Sequence, residues 1–490
     1  MANTFFGLTI AQSGLFAANI ALNTTGHNIS NEQTEGYSRQ QVSQTASRAL
    51  QVYQQYGMVG TGTTVTGIEQ LRDSYYDFKY WNNNSKVAYF ETLYDQMINI
   101  EDFFNEINTD GFTAEYGNFF NAMTSLLDDP ASYTARTSVI GYAENIMEYF
   151  NTMKQNLLNL QEDINEEVKD NVDRINTLAA DIAALNKQIN IVELTGEVAN
   201  DLRDRRNLLV DELSGIVEVS VTEEKVANNK TEYKVMLGGN TLVDNYTAFQ
   251  LKVVSREERR AETDAVGLYD VQWAWGDSFD PVHAGYEGKL KALLEVRDGN
   301  NCVGDIPTDY KGVVYYTTEL NYFLENLTSR FNEIHKDGYN LNGDKISDLD
   351  DADFFLFEDG VYKVNPKYIE DPGMLGLSSS PIQNGEDNTD ILSKLIDIQY
   401  ERTYDGSTGE DFMQSILAEI AIDARKADTL EANYSTMKHA IINQRLSVSG
   451  VDTDEETMNL VKFQEAYELA AQMISIMQEI YNKLINEMGV

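Results

Sequence analysis

The chain has 490 residues, 42% of them hydrophobic, with 79 acidic and 37 basic side chains and a formal net charge of −42. That length exceeds what one core supports and predicts roughly two to four domains, while the apolar content excludes a disordered chain. The charge excludes nucleic acid and an anionic membrane as partners, because phosphate binding needs clustered Lys and Arg.

The first thirty residues carry no Asp, Glu, Lys or Arg. They present a stripe of Leu8, Ala11, Leu15, Ala18, Leu22, Thr25 and Ile29, spaced alternately 3 and 4, which predicts one helix over 4–30 built to lie along another helix. This segment lacks the basic start of a secretory signal, and no run in the chain reaches the roughly 18 apolar residues of a membrane span. A polar turn follows at 31–39, and residues 40–70 alternate loosely between glycines, as in a hairpin. Helical spacing then covers 73–107, 112–127, 132–194 and 200–214.

The period changes to two after residue 216, with Val217, Val219 and Val221, then Tyr233, Val235 and Leu237, a Gly238-Gly239 turn, and strands near 241–243, 249–254 and 269–275. Val271, Trp273 and Trp275 are expected on one face. Helical spacing returns at Leu290 and over 315–335; residues 337–410 read as loop-rich and acidic, and helices over 411–445 and 455–488 close the chain. The final stripe is Leu460, Phe463, Tyr467, Ala470, Ile474, Met477, Tyr481, Leu484 and Met488, with a second apolar row at Met473, Ile476 and Ile480. All six prolines lie between Pro130 and Pro381, which permits long helices at both ends.

These patterns predict a mainly α fold, a long antiparallel helical bundle formed by both chain ends with an inserted small β-rich domain. The expected division is a terminal coiled-coil assembly domain (1–55 with 448–490), a helical bundle domain (56–215 with 285–447) and a β-rich domain (216–284). Burial of the terminal stripes and the cost of ordering those residues are of similar size, so the ends are expected to order fully only against neighbours. Limited proteolysis is then expected to leave a core near 70–440.

Catalytic patterns are sparse. His27, His283, His335 and His439 are scattered, and no phosphate-binding loop or nucleophile elbow occurs. No cofactor and no metal is expected. The segment Asn340 to Asp348 has oxygen side chains at alternate positions, but Lys345 stands where a calcium loop needs glycine and no Glu closes it, so it reads as a turn. Cys302 is the only cysteine, which fits either a cytosolic protein or one that leaves the cell by a route that avoids oxidative folding.

Residues 22–31, Leu-Asn-Thr-Thr-Gly-His-Asn-Ile-Ser-Asn, leading to Thr34-Glu35-Gly36-Tyr37-Ser38-Arg39, resemble the N-terminal motif of bacterial flagellar rod, hook and hook-associated proteins. His27 replaces an asparagine of that motif and Glu35 a proline. Ser447 to Glu456 followed by Phe463-Gln464-Glu465-Ala466-Tyr467 is similar to the C-terminal signature of the hook-associated protein 1 family. Asn200 to Arg206, Gly238 to Val243, Gly288 to Asp298 and Phe331 to Gly343 resemble that family in the same order.

The resemblance implies a non-enzymatic structural protein joining flagellar hook to filament, secreted onto the flagellum by type III export. Its implied partners are copies of itself in a ring, the hook protein, a second hook–filament junction protein and a cytoplasmic export chaperone. Subunit assembly would fall to Leu8, Leu15, Leu22, Asn28 and Ile29 with Leu460, Phe463, Tyr467, Ile474, Met477, Tyr481 and Leu484. Asn31, Gly36 and Tyr37 would form the motif turn, and Met473 and Ile480 would meet the chaperone. Another axial protein, such as the second junction protein or a flagellin, is the alternative within the class. A flagellum-borne enzyme with its site in 216–410 is the alternative outside it.

Overall fold

The computed structural model describes residues 6–51, 58–104, 111–226, 230–299, 310–381 and 388–486; Cys302 lies outside them. In chain order the elements are α1 (Phe6–Ser30), β1 (Gln40–Ala46), β2 (Leu50–Gln51), β3 (Met58–Val59), β4 (Thr63–Gln70), α2 (Ser74–Phe103), α3 (Phe112–Leu126), α4 (Tyr133–Glu193) and α5 (Asn200–Ile216). Then come β5 (Val219–Val226), β6 (Lys230–Leu237), β7 (Asn240–Asp244), β8 (Thr247–Ala248), β9 (Leu251–Ser255), β10 (Tyr269–Trp273), α6 (Pro281–Ala284), α7 (Lys289–Asp298) and α8 (Val313–His335). The hairpin β11 (Phe355–Glu358) and β12 (Val361–Val364), α9 (Pro366–Glu370), α10 (Asp390–Asp397), α11 (Gly409–Ser449) and α12 (Thr453–Asn486) complete the chain. The fold is mainly α, with long terminal helices and small sheets in the middle.

The spine is α4, 61 residues without a proline, which at about 1.5 Å per residue extends roughly 90 Å. Ser132 caps its start by accepting from the Ala135 amide, and Ile175, Leu178, Ile182, Leu185 and Ile189 form its buried row. Along it pack α3, α5, α7, α8 and the strands β7 to β9 and β12. An aromatic cluster fills the middle: Phe112, Tyr116, Phe150, Phe323, Tyr404 and Phe412 meet at ring distances near 5–6 Å.

A second antiparallel pair, α2 with α11, lies beside the spine. The Asn83 amide donates to the Tyr434 carbonyl, and the Phe90 and Tyr434 rings stack at 5.5 Å. The terminal pair, α1 with α12, is flanked by the β1–β4 ribbon. That ribbon is antiparallel from Gln40 opposite Gln70 to Ala46 opposite Thr63, with a register shift after Ser43.

One local expectation changes and two gain detail. The middle strands form two sheets, a four-stranded meander β5-β6-β7-β8 and a β9–β10 hairpin. Trp275 does not extend the inward row of Val271 and Trp273: the strand ends at Trp273, the chain turns, and Trp275 lies half exposed, stacked on Trp273 at 4.7 Å. The loop-rich segment 337–410 also contains the β11–β12 hairpin and the helices α9 and α10. Within it, Asn340 is buried, and its side-chain oxygen accepts from the Asn342 and Asp344 amides, closing a turn through Gly343. Among the described residues no group of three metal-ligating side chains occurs, and no helix is long and apolar enough to cross a membrane.

Candidate assembly surface of the terminal helices

The terminal helices run antiparallel. Near one end of the pair Asn28 meets Glu456, and near the other a Cβ on Gly7 would lie 2.7 Å from the Met477 methyl group. The side chains that α1 buries between α12 and the β1–β4 ribbon are mostly small. Ala11, Ala18 and Thr25 of the predicted stripe are buried, joined by Ala17, Ala21, Thr24 and Asn28, while Leu8, Leu15, Leu22 and Ile29 are only half buried. Small side chains let two helix backbones approach closely, which leaves the leucines at the rim of the contact.

On α12 the stripe residues Leu460, Phe463, Tyr467, Ile474 and Met477 are half buried and Tyr481 is buried. Leu484, predicted in the same stripe, is exposed. The second row is open to solvent: Met458, Val461, Leu469, Met473, Ile476 and Ile480 are between 44% and 68% exposed. One partner helix therefore covers only part of the apolar arc.

A buried polar node ties this pair to the rest of the molecule. Asn28, 1% exposed, uses all its hydrogen-bonding capacity. Its Nδ2 donates to the Gln40 carbonyl and to Glu456 Oε2, both at 2.9 Å, and its Oδ1 accepts from the Tyr37 hydroxyl at 2.8 Å and the Gln40 amide at 3.0 Å. Burial, then the nearby Asp201, Asp204 and Glu456, pushes the Tyr37 hydroxyl well above its usual range, so it remains a donor. Arg39 donates from Nε and Nη2 to Glu456 at 2.9 and 2.7 Å and from Nη2 to Glu455 at 2.8 Å. Burial opposes the Arg39 charge, but these bonds outweigh it and raise its pKa.

The turn that aims Tyr37 into the node depends on Gly36, whose φ is 77° and whose Cα faces Leu208. Asn31 closes α1 by donating to the His27 carbonyl and accepts from the Thr34 hydroxyl. His27 packs edge-on against Tyr37, and its Nε2 lies 3.4 Å from Asp201 Oδ1. Glu35, at the place of the motif proline, is exposed.

The segment Asn200 to Arg206 holds this node to the helical core. Asn200 donates to the Ile68 carbonyl, Asp201 accepts from Gln40, and Asp204 accepts from the Ser38 amide at 2.8 Å and hydroxyl at 2.7 Å. Burial raises the Asp204 pKa against the opposing pull of Ser38 and Arg72. Arg72 pairs with Asp77, Arg445 bridges Asp77 and Asp211, and Asp211 accepts from Trp81. On the opposite side Arg206 stacks 3.6 Å over the Tyr233 ring and bonds Asn186 and Glu223. About two turns of helix thus join the ribbon, the spine and the four-stranded sheet. The sequence signal for this role is five charges within seven positions, in a segment otherwise reading as a plain helix.

An uncharged first helix paired with the last, and an apolar row of α12 left open, belong with the class that the family models give, an axial protein of the bacterial flagellum. The model of the flagellar hook-associated protein FlgK helical domain matches residues 97–354, and that of the flagellar basal body rod FlgEFG protein C-terminal region matches 442–487. The chain belongs to the FlgK family of flagellar hook-associated proteins. It is 27% identical to flagellar hook-associated protein 1 of Bacillus subtilis (strain 168), over 100% of this chain and 99% of the relative. The same-named protein of Escherichia coli (strain K12) is 26% identical, over 97% and 98%. Among solved structures, the flagellar hook junction protein FlgK from Burkholderia pseudomallei matches at 19% identity and a TM-score of 0.46, over 57% of this chain and 47% of that one. The protein is an extracellular, axial component of the flagellum at the hook–filament junction. These relatives carry names of structural flagellar proteins, none of an enzyme.

Proposed function

We propose that the protein joins hook to filament by self-assembly through its terminal helices, acting without catalysis. The observation that carries this is the split of the α12 arc. Leu460, Phe463, Tyr467, Ile474 and Met477 lie half covered in the pair with α1, while Leu469, Met473, Ile476 and Ile480 remain open. An exposed apolar row of this length marks an interaction site. In the assembled ring it packs against neighbouring copies, and at the two faces of the ring against the hook protein and a second junction protein. Before export, the same row, with Met473 and Ile480, is the surface a cytoplasmic chaperone would cover.

The division of the chain follows from this reading: 1–55 with 448–490 assembles, 56–215 with 285–447 supports, and 216–284 faces outward. Replacing both Ile476 and Ile480 by Asp tests it. The purified monomer is expected to melt as the parent does, since both side chains are exposed, while cells carrying the variant lose attached filaments. Cells that keep their filaments would refute the reading.

A further inference from the structure

Two rows of heptad spacing run along α1. Gly7, Ala11, Ala18, Ala21, Thr25 and Asn28 form one, and both its ends meet α12: a Cβ on Gly7 would touch Met477, and Asn28 bonds Glu456. Between those two contacts α1 advances three heptads and α12 goes back three, so the antiparallel register runs unbroken. The other row, Leu8, Gln12, Leu15, Asn19 and Leu22, holds the bulkier side chains and stays half buried or exposed. No Asp, Glu, Lys or Arg occurs anywhere in α1.

α12 is built in the same way. Beside the stripe from Leu460 to Tyr481 runs a second row, Ala466, Leu469, Met473, Ile476 and Ile480, that is exposed. From Leu469 to Gln478 the helix has no charge on any face. In an antiparallel pair, the flank that follows the seam on one helix lies beside the same flank of the other. Leu8, Leu15 and Leu22 therefore lie on one side of the pair, and Met473 and Ile480 on the other. The latter is the side of the ribbon, where a Cβ on Gly62 would lie 3.4 Å from the Ile10 Cα. The two open rows face away from each other and cannot meet within one molecule. The register sets them at one height, with Leu15 level with Leu469 and Leu8 level with Ile476. Towards the base of the pair α12 carries Lys462, Glu465 and Glu468, and at that height α1 presents Asn19 and Asn23, whose amides bond either sign of charge.

We propose that the open α12 row of one copy packs antiparallel on the Leu8, Leu15 and Leu22 row of the next. Copies in a ring share one direction and one height, so this contact repeats the register of the internal pair and sets Leu15 of one copy opposite Leu469 of its neighbour. Each molecule supplies both rows, on opposite sides, so the contact joins two different patches and propagates instead of closing as a two-fold dimer. Its apolar stretch strips no charge of water. This inference rests on the self-assembly reading above and names what covers the α12 row.

The test uses the full chain carrying Leu15→Cys and Leu469→Cys with Cys302→Ser, assembled on cells and treated with a short bismaleimide. The expected product is a ladder of multimers of this chain, absent from the dilute monomer. In parallel, L15K is expected to lower the number of attached filaments several-fold, and L469E in the same chain to restore most of it. This charge pair decides if the cysteine chain does not assemble. Assembled protein that yields no multimer, a product that stops at the dimer, or one that joins this chain only to another flagellar protein overturns the proposal. So does an L15K chain that attaches filaments normally, or one that L469E does not rescue. If these fail while the Ile476 and Ile480 variant still loses its filaments, the terminal-helix reading stands and only α1 falls as the partner of that row.

Discussion

Asn28 and Glu456 stand 428 positions apart and share a buried hydrogen bond of 2.9 Å, which locks the first helix of the chain to the last. The same Glu456 carboxylate holds Arg39, so one side chain serves two donors from the N-terminal segment.

Replacing Glu456 by Ala therefore leaves the Asn28 amide and the Arg39 guanidinium short of acceptors. Breaking a buried charged pair from one side costs about 3–5 kcal/mol, and the partial exposure of Arg39 reduces this to about 2–3 kcal/mol. Hydrogen exchange is expected to quicken in α1 and the first turns of α12 and to stay unchanged in α4.

Gly288 has φ 135°, and a Cβ there would sit 2.6 Å from the Ile216 carbonyl oxygen and 2.8 Å from Val217 Cα. Neither neighbour is a flexible side chain, so Gly288→Ala forces the start of α7 away from the end of α5. A loss of about 2–4 kcal/mol is expected from strain and displaced packing, read as a lower urea midpoint. An unchanged midpoint would mean that the backbone relaxes freely here.

His335 is fully buried, and its Nε2 accepts from the Gly376 amide at 3.0 Å, a bond only the neutral ring accepts. Burial, then the charges of Arg136 and Lys336, lowers its pKa from 6.5 to about 3. Between those values the unfolded chain binds a proton that the folded chain does not. This contribution is complete above pH 6.5 and is lost as pH falls towards 3. His335→Gln is expected to flatten the fall of the urea midpoint between pH 7 and 4.5. Asp298, held near 2 by Arg297 and Arg256 against the effect of burial, loses its contribution in a lower window and does not blur the comparison.

On α12 only Glu456 and Tyr481 are buried. Its amides past residue 460 are expected to exchange far faster in the monomer than those of α4, and to become protected on assembly. Proteolysis of the monomer is expected to trim both ends and spare a core near 70–440. Equal protection of α12 and α4 in the monomer would contradict this.

Helix positions were legible because each long helix repeats its apolar residues over many turns. Ile175 to Ile189 on α4 and Leu460 to Tyr481 on α12 lie where their spacing puts them. Periodicity ranks large side chains as the centre of a contact, and so it favoured Leu8, Leu15 and Leu22 over the alanines that are buried more completely. Trp275 looked like a strand residue because alternation does not reveal where a strand ends. The node was less legible still. Arg72, Arg445 and the α5 pair Asp204 and Asp211 come from three distant segments, and nothing local in their sequences says that they converge.

The alanine-rich face of α1 has a mechanical consequence. Interlocking side chains fix the register of two helices, and the buried Ala11, Ala17, Ala18 and Ala21 of α1 offer little relief to interlock. Axial position in the terminal pair is therefore set chiefly by the polar lock at Asn28 and Glu456. The pair is clamped by polar bonds at its base and held at its far end by apolar contacts such as Met477 on Gly7, which a neighbour can rearrange without disturbing the clamp.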